Sequence, residues 1–180
     1  MLSKKMEDAL NQQINREMFS AYLYMSMSSF AQSKGMKGIA TWFMVQYHEE
    51  MVHAMKFYEY INDKGGTVKL GAIEQPEGSF KSMLEMMEKT LAHEQFITNS
   101  INGLVDLAID EKDHATKALL DWYVTEQVEE EKNATENVQM FKMVGDNPGA
   151  LYMVDKELGA RTVTVPTNFS QGVSAAMGAA

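Results

Sequence analysis

Four times along this chain, core-type residues recur at alternating spacings of four and three, and each stripe is interrupted near its middle by a carboxylate, amide or imidazole. The first reads Leu10, Ile14, Glu17, Ala21, Tyr24, Ser28, and the second Ile39, Phe43, Gln46, Glu50, His53, Phe57. The third is Met83, Met87, Thr90, Glu94, Ile97, Ile101, Leu104. The fourth is Leu120, Tyr123, Gln127, Glu130, Ala134, Val138, Phe141. Such spacing marks amphipathic helices, so the chain is expected to be all-α. With 3 prolines in 180 residues, little interrupts long helices.

Turn signals set the boundaries. The expected helices run over about 3–33, 37–64, 79–110 and 113–144, with a short fifth over about 150–158. Lys34-Gly35 and Gly65-Gly66 are C-terminal stops, Gly145 ends the fourth helix, and Ser79 and Ser82 are candidate N-caps for the third. Short links make helices one and two, and helices three and four, antiparallel neighbours. Helices two and three are separated by Gly65–Gly78, and fourteen extended residues reach roughly 45–50 Å at most. A 30-residue helix is about 45 Å long. The link can therefore cross the full length of a four-helix bundle, and a loop that long needs such a reason.

The interruptions are in register. Glu17 to Glu50 and Glu94 to Gln127 are both separations of 33 residues, and each midpoint falls in a short link, so the paired side chains sit at one height. An offset of 77 residues lines Glu17 up with Glu94, Glu49-Glu50 with Glu126-Gln127, and His53 with Glu130. Four carboxylates at one level of a core cannot all stay ionised without compensation. The stripes carry no Lys or Arg to pair with them. Two divalent cations would neutralise them, and oxygen ligands with one imidazole suit iron or manganese. One Glu on each of two helices with Glu-x-x-His on the others is a known di-metal pattern. Here Glu50-x-x-His53 is matched by Gln127-x-x-Glu130, so the second position lacks its own histidine. Glu50 is expected to bridge, with Glu17 and His53 on the first iron and Glu94 and Glu130 on the second. Gln127 is a weak ligand or steers dioxygen. Tyr24, seven residues after Glu17 on the same face, either hydrogen-bonds a bridging carboxylate or donates an electron, or is a core tyrosine. Glu49, Glu126, Glu129 and Glu130 form either a third metal site or a solvated acidic face. His48, His93 and His114 read as structural or surface residues.

The bulk composition excludes several classes. No cysteine means no disulfide, iron–sulfur cluster or thiolate site. A net charge of −9 disfavours nucleic acid and anionic membranes and favours cations. No apolar run reaches the length of a membrane span, and the N-terminal sequence lacks a signal-peptide core, so a cytoplasmic location is expected. The 16 methionines are read as core filler.

At Glu17, Tyr24, Glu49-Glu50-Met51-Val52-His53, Glu94 and Trp122-Tyr123-Val124-Thr125-Glu126-Gln127-Val128-Glu129-Glu130-Glu131, the chain closely resembles prokaryotic non-haem ferritins. The resemblance covers about residues 1–158, the expected ferritin-like di-iron domain with its long crossover and short fifth helix. It implies a twenty-four-subunit shell that oxidises Fe(II) with dioxygen or peroxide and stores ferric mineral, without haem. It assigns the di-iron ligands to Glu17, Glu50, His53, Glu94 and Glu130, and third-site ligands to Glu49, Glu126 and Glu129. The segment 159–180 has no counterpart in the resemblance, and its Ala, Gly, Ser, Thr and Val content predicts a flexible tail.

Rival readings differ at particular residues. Bacterioferritin needs a second Glu-x-x-His, which Gln127-x-x-Glu130 does not supply, although Met51 lies where a haem-ligating methionine can stand. A rubrerythrin-type peroxidase needs cysteine-bound iron. A DNA-protecting mini-ferritin places its ligands across a subunit interface, whereas these fit one bundle. A peroxide-consuming di-iron oxidase would store nothing, and a metal-free structural bundle would bind no iron.

Overall fold

Ser3, Ser82 and Asp113 each open a helix by the same device: the side-chain oxygen accepts from a backbone N–H three residues on, at 3.0, 3.1 and 3.1 Å. These caps satisfy N–H groups that the first turn leaves without partners. The computed structural model describes residues 2–170, 172 and 173. Its helices are α1 (Lys4–Ser33), α2 (Lys37–Asp63), α3 (Met83–Asp110), α4 (His114–Val144) and α5 (Pro148–Leu158), with no strand among the described residues. Of the two candidate caps for α3, Ser82 serves and Ser79 lies in the preceding loop.

Helices α1, α2 and α3 end alike. Gly35 and Met36 donate to Gln32 and Ala31, Gly65 and Gly66 to Asn62 and Ile61, and Lys112 and Asp113 to Ile109 and Ala108. In each, one residue past the cap turns left-handed: Gly35 at φ 77°, Gly65 at 71° and Lys112 at 55°. Glycine takes that conformation freely and lysine does not. Lys112 stands 77 residues after Gly35, so the repeat extends into the turns.

The chain divides into two units, 1–79 with 152–180, and 80–151. In the first, α1 packs on α2, and the loop after α2 runs along α1. Thr67 meets Glu7 and Asn11, Lys69 meets Asn11, Ala72 meets Asn15, and Ser26 donates to the Glu77 carbonyl at 2.8 Å. The contacts advance from Glu7 to Ser26, roughly 28 Å of helix. This is the expected crossover, held by side chains of α1 rather than by secondary structure of its own. In the second unit α3 packs on α4.

The end of α5 is fastened to the start of α2. Met36, at the α2 N-cap, makes no capping bond, and Asp155 of α5 supplies one by accepting from Ile39 N–H at 2.9 Å. The close approach depends on glycines: a β-carbon on Gly38 would lie 1.6 Å from the Asp155 carbonyl oxygen, and one on Gly159 would lie 2.8 Å from Gly38 Cα. All four stripes are buried except at their first member on α3, Met83, which is half-buried.

Candidate metal centre

The α1–α2 pair carries three of the expected ligands at its contact face. Glu17 is fixed by its helix register, and Gln13, one turn earlier, donates to Glu17 Oε1 at 2.8 Å. Glu50 and His53 share a face of α2 because residues three apart lie one above the other. Exposures of 1, 2 and 3% remove all three from water. One ligand atom from each of Glu17, Glu50 and His53 lies within 4.8 Å of the others.

The electrostatics of this trio are unfavourable without a cation. Glu17 Oε2 and Glu50 Oε2 are buried side-chain oxygens with no hydrogen-bond partner. His53 Nδ1 stands 3.4 Å from Glu50 Oε2, close enough for an ion pair only when the imidazole is protonated. Burial, followed by the negative charge of Glu50, pushes the Glu17 carboxyl up to about 8, against the opposing pull of His53 and the Gln13 hydrogen bond. Unpartnered buried oxygens are rare in folded proteins and costly, by about 1–3 kcal/mol each. Two such oxygens on carboxylates grouped with an imidazole fit a hard or borderline dication, which accepts carboxylate and neutral imidazole together.

In the α3–α4 pair, Glu94 and Gln127 are joined. Gln127 Nε2 lies 3.3 Å from Glu94 Oε2, from the Glu94 carbonyl oxygen and from Thr98 Oγ1, and donates among these acceptors. Its amide therefore presents hydrogens to Glu94 and holds that carboxylate. Glu130 is buried one turn further along α4. The structure thus places the five expected di-iron ligands and Gln127 in the interior, and it joins Glu17, Glu50 and His53 in one group and Glu94 with Gln127 in another.

The residues read as a third site differ in setting. Glu126 is half-buried and Glu129 exposed on α4. Glu49 is half-buried on α2, where its Oε2 accepts from Arg161 Nη2 at 2.6 Å. Tyr24 is fully buried, its ring centroid 5.9 Å from that of Phe43. His48 and His93 are half-buried and His114 is exposed.

Sequence reading missed Gln13, Thr98, Asp155 and Arg161. Gln13 had a signal, being a polar residue one turn from Glu17. Arg161 had none, since it meets Glu49 across 112 residues of chain.

The chain as a whole is similar to known proteins. The family model described as a ferritin-like domain matches residues 7–144. A bacterial non-heme ferritin of Staphylococcus aureus strain USA300 is 40% identical over 162 residues, 90% of this chain and 98% of that protein. The bacterial non-heme ferritin of Staphylococcus saprophyticus is 41% identical over 162 residues, 90% and 97% of the two chains. Among solved structures, an engineered closed form of Archaeoglobus fulgidus ferritin superposes with a TM-score of 0.90 at 46% identity, covering 91% of this chain and all of that one. The open-pore ferritin of the same archaeon gives a TM-score of 0.89 at 46% identity, covering 90% of this chain and 100% of that one.

Proposed function

The chain belongs to the ferritin family, and from that membership we propose that it oxidises Fe(II) and stores the ferric product inside a shell of twenty-four like subunits. The observation that carries the reading is the pair of unpartnered buried oxygens, Glu17 Oε2 and Glu50 Oε2, beside His53. Iron is here the substrate and cargo. Glu17, Glu50 and His53 receive it, and the family's ligand set adds Glu94 and Glu130. Glu49, Glu126 and Glu129 are proposed as the third-site ligands. Each Fe(II) gives up one electron, and dioxygen or peroxide takes the pair.

The protein's own residues set the conditions. Gln13 orients the Glu17 carboxylate by donating to one oxygen, which leaves the other for metal. Glu17 releases its proton as the cation arrives, since proton and metal compete for the same lone pairs. Gln127 steadies Glu94. Its hydrogens face that carboxylate, so the amide acts by positioning Glu94 as well as in the weak-ligand or dioxygen-steering role. Tyr24 is proposed to support the same centre, as a hydrogen-bond donor or an electron source. A cytoplasmic location suits a cysteine-free chain that handles Fe(II).

The test is to add Fe(II) in air to the purified protein and measure particle mass and iron per subunit. The storage reading expects a multi-subunit shell that retains far more iron than two ions per subunit. A small dimer holding two irons would assign the chain to a di-iron oxidase instead. A Soret band in the pure protein would assign it to the haem-binding relatives.

A further inference from the structure

Glu49 is not left to solvent. Arg161, beyond the end of α5, reaches back over the first turns of α2, where one guanidinium nitrogen donates to Gln46 Oε1 and another to Glu49 Oε2, the latter at 2.6 Å. The guanidinium carbon lies 5.1 Å from the centre of the buried Trp42 ring, within range of a cation–π contact. The Arg161 and Glu49 side chains are 24% and 12% exposed, so solvent screens this pair less than a surface pair. The placement follows from the fastening already described. Asp155 caps α2, Gly159 lies against Gly38, and Arg161 follows two residues later. A planar fork with one arm on an amide and one on a carboxylate is specific geometry that lysine cannot reproduce.

We propose that Arg161 is a tethered counter-cation for Glu49, which a metal ion must displace before it can bind that carboxylate. The proposal rests on the reading of Glu49 as a metal ligand and adds what controls it. A dication on Glu49 would share one carboxylate with a guanidinium, and two positive charges that close in a half-buried site exclude each other. The charge already neutralised by Arg161 is also lost to the metal. Because about a quarter of the Arg161 side chain faces solvent, it has somewhere to go when displaced. Cations therefore fill the Glu17–Glu50–His53 group first, and Glu49 takes one only when the free concentration is high enough to expel the arginine. Arg161 acts as a positioning and gating residue and takes no part in the redox step.

Equilibrium dialysis of the assembled full-length protein against Zn(II) alone reads metal affinity without turnover. Arg161→Gln is expected to tighten the weakest-held zinc ion by about tenfold while the tighter ions change by less than about twofold. Arg161→Lys, which keeps the charge and loses the fork, is expected to stay within about threefold of the parent. Glu49→Gln is expected to remove the weakest-held ion in both the parent and the Arg161→Gln background. If Glu49→Gln removes that ion but Arg161→Gln leaves its affinity unchanged or weakens it, the gate is overturned and Glu49 stands as a ligand. If Arg161→Lys matches Arg161→Gln, packing of the tail rather than charge does the excluding, and the proposal fails. If Glu49→Gln leaves every zinc ion in place, the ligand reading of Glu49 fails and the gate with it.

Discussion

Glu17 has a folded-state pKa of about 8, against 4.5 for the free side chain. Between those values the folded chain holds a proton that the unfolded chain has released, so raising the pH favours unfolding. The contribution is complete below pH 4.5 and is lost as pH climbs through 8. Glu17→Gln cannot titrate. The melting temperature of metal-free parent protein, measured relative to this variant, is expected to fall steadily from about pH 5 to about pH 8. Zn(II), which replaces the proton, should reverse that slope in the parent only. A parallel pair of melting curves would dissociate Glu17 from the effect. Gln13 offers a second check at this scale. Gln13→Leu removes the donor to Glu17 Oε1 and leaves both oxygens short of partners. Zinc affinity is expected to drop by roughly 10–100-fold, the usual consequence of losing a residue that orients a ligand.

Among the elements, the two short links are the informative comparison. Both close with the same pair of backbone bonds, yet one uses Gly35 and the other Lys112. An L-residue in the left-handed region is strained by about 1–2 kcal/mol. Lys112→Gly is expected to stabilise the protein by about 1 kcal/mol in chemical denaturation, part of the relief being offset by a more flexible unfolded chain. The junction of α5 with α2 has the opposite tolerance. Gly38→Ala would force a methyl to 1.6 Å from a backbone oxygen, so α5 must move. A loss of roughly 1–3 kcal/mol is expected, with faster proteolysis after Leu158 as the accompanying sign that the Asp155 cap has opened. The sequence made the boundaries of these elements legible because caps and glycine stops are local. It did not mark Lys112 as left-handed, since nothing in a lysine announces that conformation.

The whole molecule is where family membership and the local chemistry meet. Fold similarity to the archaeal ferritins extends over nine-tenths of the chain, and so does the alignment to the staphylococcal proteins. If the proposed shell depends on surfaces rather than on the proposed metal ligands, Glu50→Ala and His53→Ala should assemble to the parent mass. Both should lose fast Fe(II) oxidation by about 100-fold or more, since removing a ligand exceeds the effect of removing its support. Light scattering and stopped-flow absorbance separate the two outcomes. Unchanged oxidation in both variants would remove the centre from the function.

By itself the sequence determined the helices, their pairing through short links and the long crossover. Periodicity, capping and chain reach are properties of neighbouring residues. It also placed Glu17, Glu50, His53, Glu94 and Glu130 in the interior, because they interrupt apolar stripes and burial follows from the stripe. Only the tertiary structure decided which oxygens go without partners, since that requires every neighbour of Glu17 and Glu50 to be in place. It alone placed Asp155 as the cap of α2 and Arg161 on Glu49. Those contacts join residues more than a hundred positions apart, and side-chain geometry at that distance has no signature in local composition. The segment 159–180 read from its sequence only as a tail, and its described part carries the charge that meets Glu49.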